Sequence, residues 1–449
     1  MIKRRPPALA VSIAISIAIA TAALPAAGED LMQIYREAQR ADPAIASAKA
    51  NWDAVQEKAP QARAGLLPIV SATGNANLTN YDASIKGDQP TDINRNFHQY
   101  IGAINASQPL FRYQNQVFYD QAKQQVTQAD YVLSVAQQDL IIRVAVTYFD
   151  ILLAEFNIEL AESQKKAVSE QLAQAKRNFE VGVATITDTN EAQARYDAIV
   201  AQEIATRNEY DNRVTALRAI IGRYPKELKK LGPGFQPGPP EPNAADYWVD
   251  RALKENLNVR IAEYNLEIAR LEVERARGGH YPTVDLVGSY TAQGSNAAVT
   301  STTASDQRTG TIGLQLTVPI YQGGFVESRV RESIALLEKS RQDLETARRS
   351  ALFQAQTGFT GVASASASVR AFEQAVLSAQ SALQSNILGQ EVGVRTFLDV
   401  LQVQQNVYST RRDLAQAYFA YLIGHLRLKA AVGTLSDLDL EEINRRLAG

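Results

Sequence analysis

The chain of 449 residues carries 46 basic and 48 acidic side chains, three histidines and no cysteine. That length suggests two or three compact domains, yet long stretches of Ala, Gln, Ser, Glu and Arg suit thin amphipathic helices better than a thick core. The missing cysteine and the scattered His98, His280 and His425 argue against disulfides, metal clusters and an N-terminal lipid anchor, and a formal charge of −2 gives nucleic acid no basic field.

Residues 1–28 form a segment of their own. Lys3, Arg4 and Arg5 precede an apolar run from Ala8 to Ala23, and Ala26-Ala27-Gly28 supplies small residues before Glu29. This is the pattern of a secretory signal peptide, so the mature chain is expected outside the cytoplasm. No later stretch offers about 18 uninterrupted apolar residues, the minimum for a membrane-spanning helix.

The remaining chain repeats itself. Glu180-Val-Gly-Val-Ala-Thr-Ile-Thr-Asp188 aligns with Glu391-Val-Gly-Val-Arg-Thr-Phe-Leu-Asp399 at an offset of 211, with six of nine positions identical. Upstream, Gly65-Leu-Leu-Pro68 matches Gly279-His-Tyr-Pro282, and Gln108-Pro-Leu-Phe111 matches Val318-Pro-Ile-Tyr321. Three anchors in one order define an internal duplication. The first repeat is read as 29–222, the second as 246–433, and 434–449 as a C-terminal periplasmic tail. Between the repeats, residues 223–245 hold six prolines and three glycines and form the linker.

Each repeat begins with a helix, expected over Leu31–Ala64 and Tyr247–Arg277. Two strands follow, Ile69–Tyr81 with Tyr100–Gln108 in the first repeat and Val284–Tyr290 with Thr311–Val318 in the second. The last alternates strictly, Ile312, Leu314, Leu316 and Val318 on one face against Thr311, Gly313, Gln315 and Thr317. Residues Asp82–Phe97 and Ala292–Arg308 read as polar loops. A long helix then runs over Tyr113–Asn178, free of Gly and Pro, and its counterpart Phe325–Leu388 is interrupted only by Gly358 and Gly361. At about 1.5 Å per residue each would span ~100 Å. Leu133, Leu140, Val144, Tyr148 and Ile151 form a coiled-coil-like seam. Return helices over Asp188–Gly222 and Asp399–Gly433 complete an α-β-β-α-α order, twice.

Four strands with one apolar face cannot close a barrel, and their open edges invite aggregation. Apolar-out, polar-in strands in an exported chain suit an outer-membrane barrel built from several copies. A soluble coiled-coil protein with incidental hairpins would explain neither the duplication nor the alternation. Catalysis finds no constellation to rest on. Gln322-Gly323-Gly324 follows a strand and opens a helix but lacks the later glycine and lysine of a phosphate loop, so neither enzyme nor cofactor is expected.

The tip phrases, together with Asn190-Glu-Ala-Gln-Ala-Arg-Tyr196, Asp413-Leu-Ala-Gln-Ala-Tyr418 and Leu426-Arg-Leu-Lys-Ala-Ala-Val-Gly433, resemble the TolC family of outer-membrane efflux and type I secretion proteins over essentially the whole mature chain. The resemblance implies a mixed α/β membrane protein. Each protomer would give four strands to a homotrimeric twelve-stranded barrel, continued by an α-helical coiled-coil tunnel. It also implies outer-membrane lipid around the barrel, a periplasmic adaptor protein and an inner-membrane ABC or RND-type pump as partners. The function implied is a passive exit duct for drugs, small molecules or unfolded proteins. A structural or adhesive coiled-coil protein of the envelope stands as the alternative.

The same resemblance assigns roles at the tips. Val181, Gly182, Thr185, Val392, Gly393 and Thr396 would dock the adaptor, although the glycines also serve simply to make the turn. Asp399 would ring a constriction, with Gln402 where some relatives carry a second Asp; a lone Asp there is equally a helix N-cap. Arg395 would latch the resting tip to Asp188, with Gln390 in place of the family's tyrosine. Its first-repeat counterpart is Ala184, and an ordinary solvated tip charge is the other reading.

Overall fold

The computed structural model describes residues 28–86, 91–232, 235–299 and 301–447. Residues 1–27 of the expected signal peptide lie outside the described residues. The chain runs α1 (Leu31–Ala41), α2 (Pro43–Gln56), α3 (Lys58–Ala64), β1 (Ile69–Ile85), β2 (Thr91–Phe111), α4 (Tyr113–Glu180) and α5 (Ile186–Ile221). The same order returns as α6 (Ala245–Glu255), α7 (Leu257–Arg277), β3 (Thr283–Ser295), β4 (Ser305–Thr317), α8 (Phe325–Glu391), α9 (Phe397–Val432) and a terminal α10 (Asp437–Asn444).

The two opening helices are broken where the sequence reading ran them through. Pro43 has no amide to donate, and the Asp42 carboxylate accepts instead from the amides of Ala44 and Ile45 at 2.6 and 3.3 Å, so a new helix starts there. Asn256 does the same between α6 and α7, accepting from Asn258 and Val259 at 2.9 and 3.1 Å while donating to the Ala431 carbonyl. In each case a local cap outcompetes helix continuation. The tail is not featureless either, because α10 packs on the core through Leu440 and Ile443.

The strands form one antiparallel sheet in the order β1-β2-β3-β4. Their register sorts the side chains. Ile312 faces Gly288, which faces Ala106, which faces Val70; Leu314 and Leu316 face Leu286 and Val284; Tyr290 faces Ile104. Directly paired residues share a face, so these make one apolar surface across all four strands. The other face carries Ser71, Thr73, Asn75, Asn105, Ser107, Ser289, Thr311 and Gln315, with Ser289 and Thr311 joined at 2.7 Å. Neither face is covered within the protomer: Ile312, Leu314 and Leu316 are 64–81% exposed. The expected loops are largely strand. β1 continues to Ile85, β2 starts at Thr91, and β3 and β4 reach Ser295 and Ser305. The β1–β2 ribbon therefore rises eight pairs beyond the rungs shared with β3, from Leu78 opposite His98 to Ile85 opposite Thr91. Arg95 ties it to the Ala298 and Val299 carbonyls at 3.1 Å each.

Below the sheet, α4 is an unbroken helix of 68 residues and α8 one of 67. Each pairs with its return helix, and α7 lies against both. Where β2 hands over to α4, Arg112 grips Asp285 of β3 with two hydrogen bonds of 2.8 and 2.7 Å. The carboxylate is only 5% exposed, so the fork of the guanidinium satisfies a charge that the interior would otherwise penalise. Gln322-Gly323-Gly324 is the equivalent turn into α8, with Gly323 and Gly324 at φ of 62° and 78°.

Midway along α4 lies the main core. Of the expected seam residues, Leu140, Val144, Tyr148 and Ile151 are buried there and Leu133 partly so, against Leu31, Ile34 and Tyr35 of α1, Trp248 of α6, and Leu422, Leu426 and Leu428 of α9. The Tyr148 hydroxyl donates to the Lys229 carbonyl at 2.8 Å, tying the segment after α5 to this belt. Arg143 holds the buried Asp42 at 2.7 Å. Burial alone would raise the Asp42 pKa, but Arg143 and the two capping amides outweigh it and the carboxyl lies below its ordinary value.

Candidate functional site

The ends of the long helix pairs away from the sheet are two helix-turn-helix tips of nearly identical build. Each long helix closes with a glycine in the left-handed region, Gly182 at φ 80° and Gly393 at φ 76°. The Asn178 carbonyl accepts from the amides of Val183 and Ala184 at 2.9 and 3.2 Å, and the Gly389 carbonyl from Val394 and Arg395 at 2.8 and 3.0 Å. These bonds satisfy carbonyls that a helix end leaves open. The return helices then start on capping boxes. Thr185 and Asp188 bond reciprocally, Thr185 N to Oδ2 at 2.9 Å and Asp188 N to Oγ1 at 3.2 Å; Thr396 and Asp399 repeat both distances.

The turns project an apolar collar. Val181, Val183, Val392 and Val394 are 71–79% exposed, and no heavy atom beyond the immediate chain neighbours comes within 4 Å of a Cβ built on either tip glycine. The two tips also lean on each other. Phe397, in the first turn of α9, packs against Leu172 and Ala175 of α4 and Ala192 of α5. One turn farther on, Leu401 buries against Val168 and Ile199. Phe397 sits at the position of Ile186 in the first repeat; the repeat alignment displays the substitution but not its role as the wedge between hairpins.

The charged residues fall as follows. The Thr396 amide and hydroxyl hold the Asp399 carboxyl below its ordinary pKa, with a smaller contribution from the Arg395 charge. Within the protomer this favours an ionised Asp399, opposite to the upward shift expected of a crowded carboxylate ring. Gln402 is exposed one turn on, on the same stripe of α9. Arg395 makes no ion pair among the described residues, and Asp188 spends one oxygen on its capping box. Gln390 stands half-buried in the last turn of α8. Buried side-chain oxygens lacking a partner occur at Asn157, Gln171, Thr189, Glu191 and Gln404, all between the central belt and the tips.

Two stretches of the chain, residues 34–223 and 248–434, match the model of a family described as outer membrane efflux protein. The chain is 33% identical over 420 residues to the outer membrane protein TolC of Vibrio cholerae, spanning 93% of this chain and 94% of that protein. It is 32% identical over 417 residues to the alkaline protease secretion protein AprF of Pseudomonas aeruginosa, spanning 92% and 86%. In fold it is similar to the CmeC outer membrane channel of Campylobacter jejuni, with a TM-score of 0.78 at 14% identity, covering 94% of this chain and 90% of that one.

Proposed function

We infer function from one premise: the chain belongs to the outer membrane efflux protein family. It is an outer-membrane exit duct for efflux and type I secretion, with a long extension into the periplasm. The duct is proposed to form as a homotrimer. The observation that carries this is the sheet, which has an apolar face, a polar face and two unpaired edges, β1 and β4. Three copies joined edge to edge would bring twelve strands, enough to enclose water, with lipid against Val70, Ile104, Leu286 and Ile312. An adhesive coiled-coil protein would leave that apolar face in water. Mass measurement in detergent tests the assembly: a trimer is expected, and a stably folded monomer with its sheet intact overturns it.

Transport through such a duct is passive, and the proposal assigns no catalysis to this chain. Energy would come from an inner-membrane ABC or RND-type pump, joined through a periplasmic adaptor. The adaptor's docking surface is proposed to be the collar of Val181, Gly182, Thr185, Val392, Gly393 and Thr396. Asp399 and Gln402 would line the constriction. The latch would pair Arg395 with the free Oδ1 of Asp188, with Gln390 alongside. Phe397 holding the two hairpins together supports this pairing, since it draws the start of α9 against α5. An exposed pair of this kind biases an equilibrium without locking it, as a gate opened by partner binding requires.

A further inference from the structure

We propose that Gly389 is a positioning residue for Arg395, fixing the direction in which its guanidinium leaves the tip. The inference rests on the latch reading above. Gly389 lies in the last turn of α8 with an ordinary negative φ, so its backbone does not call for glycine. A glycine inside a helix is disfavoured relative to alanine, and its presence there asks for another cause. The cause is visible six residues on. A Cβ at position 389 would lie 2.8 Å from Arg395 Cγ and 3.4 Å from Arg395 Cβ. The backbone has no slack to relieve this, because the Gly389 carbonyl accepts from the Arg395 amide at 3.0 Å. Only rotation about χ1 of Arg395 would relieve it, and that redirects the charge.

The first repeat supplies an internal control. Asn178 occupies the position of Gly389, and its carbonyl accepts the same two amides, those of Val183 and Ala184. There a Cβ is tolerated opposite Ala184, a residue without a Cγ. The repeats thus differ at two matched places: side chain against alanine in one, glycine against arginine in the other. The stem of Arg395 takes the space that a side chain at position 389 would enter, and its charge acts on Asp399 from that seat.

The test is Gly389→Ala in the full-length trimer, read by single-channel recording and by cryo-electron microscopy of the tip. The expected map shows Arg395 in a different rotamer, with the thermal transition of the trimer unchanged or raised. The open fraction of the resting channel should rise about two- to fivefold, the scale an exposed charged pair supplies. In an Arg395→Ala background, Gly389→Ala should change nothing further, because the clashing Cγ is gone. Should Gly389→Ala alone fail to assemble while the double variant assembles, the clash with Arg395 is demonstrated directly. An unmoved Arg395 in the Gly389→Ala map, or equal effects of Gly389→Ala with and without Arg395, overturns the proposal. A moved Arg395 with unchanged gating leaves the positioning intact and removes the latch instead.

Discussion

Replacing Gly393 by tryptophan separates adaptor docking from folding. Its φ of 76° puts a side chain in the left-handed region, at a cost of about 1–2 kcal/mol for any L-residue. No steric cost adds to this, since nothing lies within 4 Å of the Cβ position. That strain is local to an exposed turn and far from the central core around Leu140 and Leu426, so the trimer should survive. Gly433 is the contrast: its φ is 89°, and a Cβ there would press on the Glu255 carbonyl and the backbone joining α6 to α7. Gly433→Ala should therefore lose folded trimer, whereas Gly393→Trp should keep trimer and bilayer conductance but lose export. Both would be scored in cells that depend on this chain for efflux or secretion, alongside trimer mass in detergent. Normal export by Gly393→Trp would remove the docking assignment, and loss of its trimer would refute the reading that a side chain at position 393 meets no part of its own protomer.

Five other outcomes are expected. Asp399→Ala should reduce cation selectivity and block by multivalent cations in bilayers. Arg395→Ala should raise resting conductance, and adding Asp188→Ala should bring little further change; additive effects would show that the two do not pair. Arg143→Ala leaves the buried Asp42 without its cation and should cost about 3 kcal/mol of stability in thermal or denaturant unfolding. Since the native pKa of Asp42 is depressed, its stabilising contribution is present above the unfolded-state pKa and lost as pH falls through the native one. Asp42→Asn should flatten that acid limb. His425 is held below its ordinary pKa, first by burial and then by the Lys429 charge; a base with a depressed pKa favours the native state above its unfolded pKa. Melting temperature should accordingly fall as pH drops below about 6.5, and less so in His425→Gln.

Periodicity carried the fold a long way. The spacing of Leu140, Val144, Tyr148 and Ile151 marked the buried stripe of α4, and the alternation from Ile312 to Leu316 marked the apolar face of the sheet. What it missed were contests between local and long-range bonding. Asp42 and Asn256 read as ordinary helix interior until their side chains are seen capping the next helix. Asp82 to Ile85 and Thr91 to Phe97 read as turn material because they are polar, yet each has a strand partner, and Ser84 donates to Asp92 across the ribbon at 2.7 Å. At the tips the repeat alignment picked out Gly182, Gly393 and the Thr–Asp pairs, whose capping geometry is local and therefore written in short spacing. The seat of Arg395 on Gly389 and the wedge of Phe397 depend on contacts across a turn and between hairpins, which no linear spacing encodes.

The most direct test of the duct is electrical. Purified protein reconstituted in a planar lipid bilayer should give discrete single-channel steps, cation-preferring, from a species whose detergent mass is that of three chains. Trimeric protein that inserts and stays silent, including after Arg395→Ala and Asp188→Ala are combined to release the tip, would contradict the account.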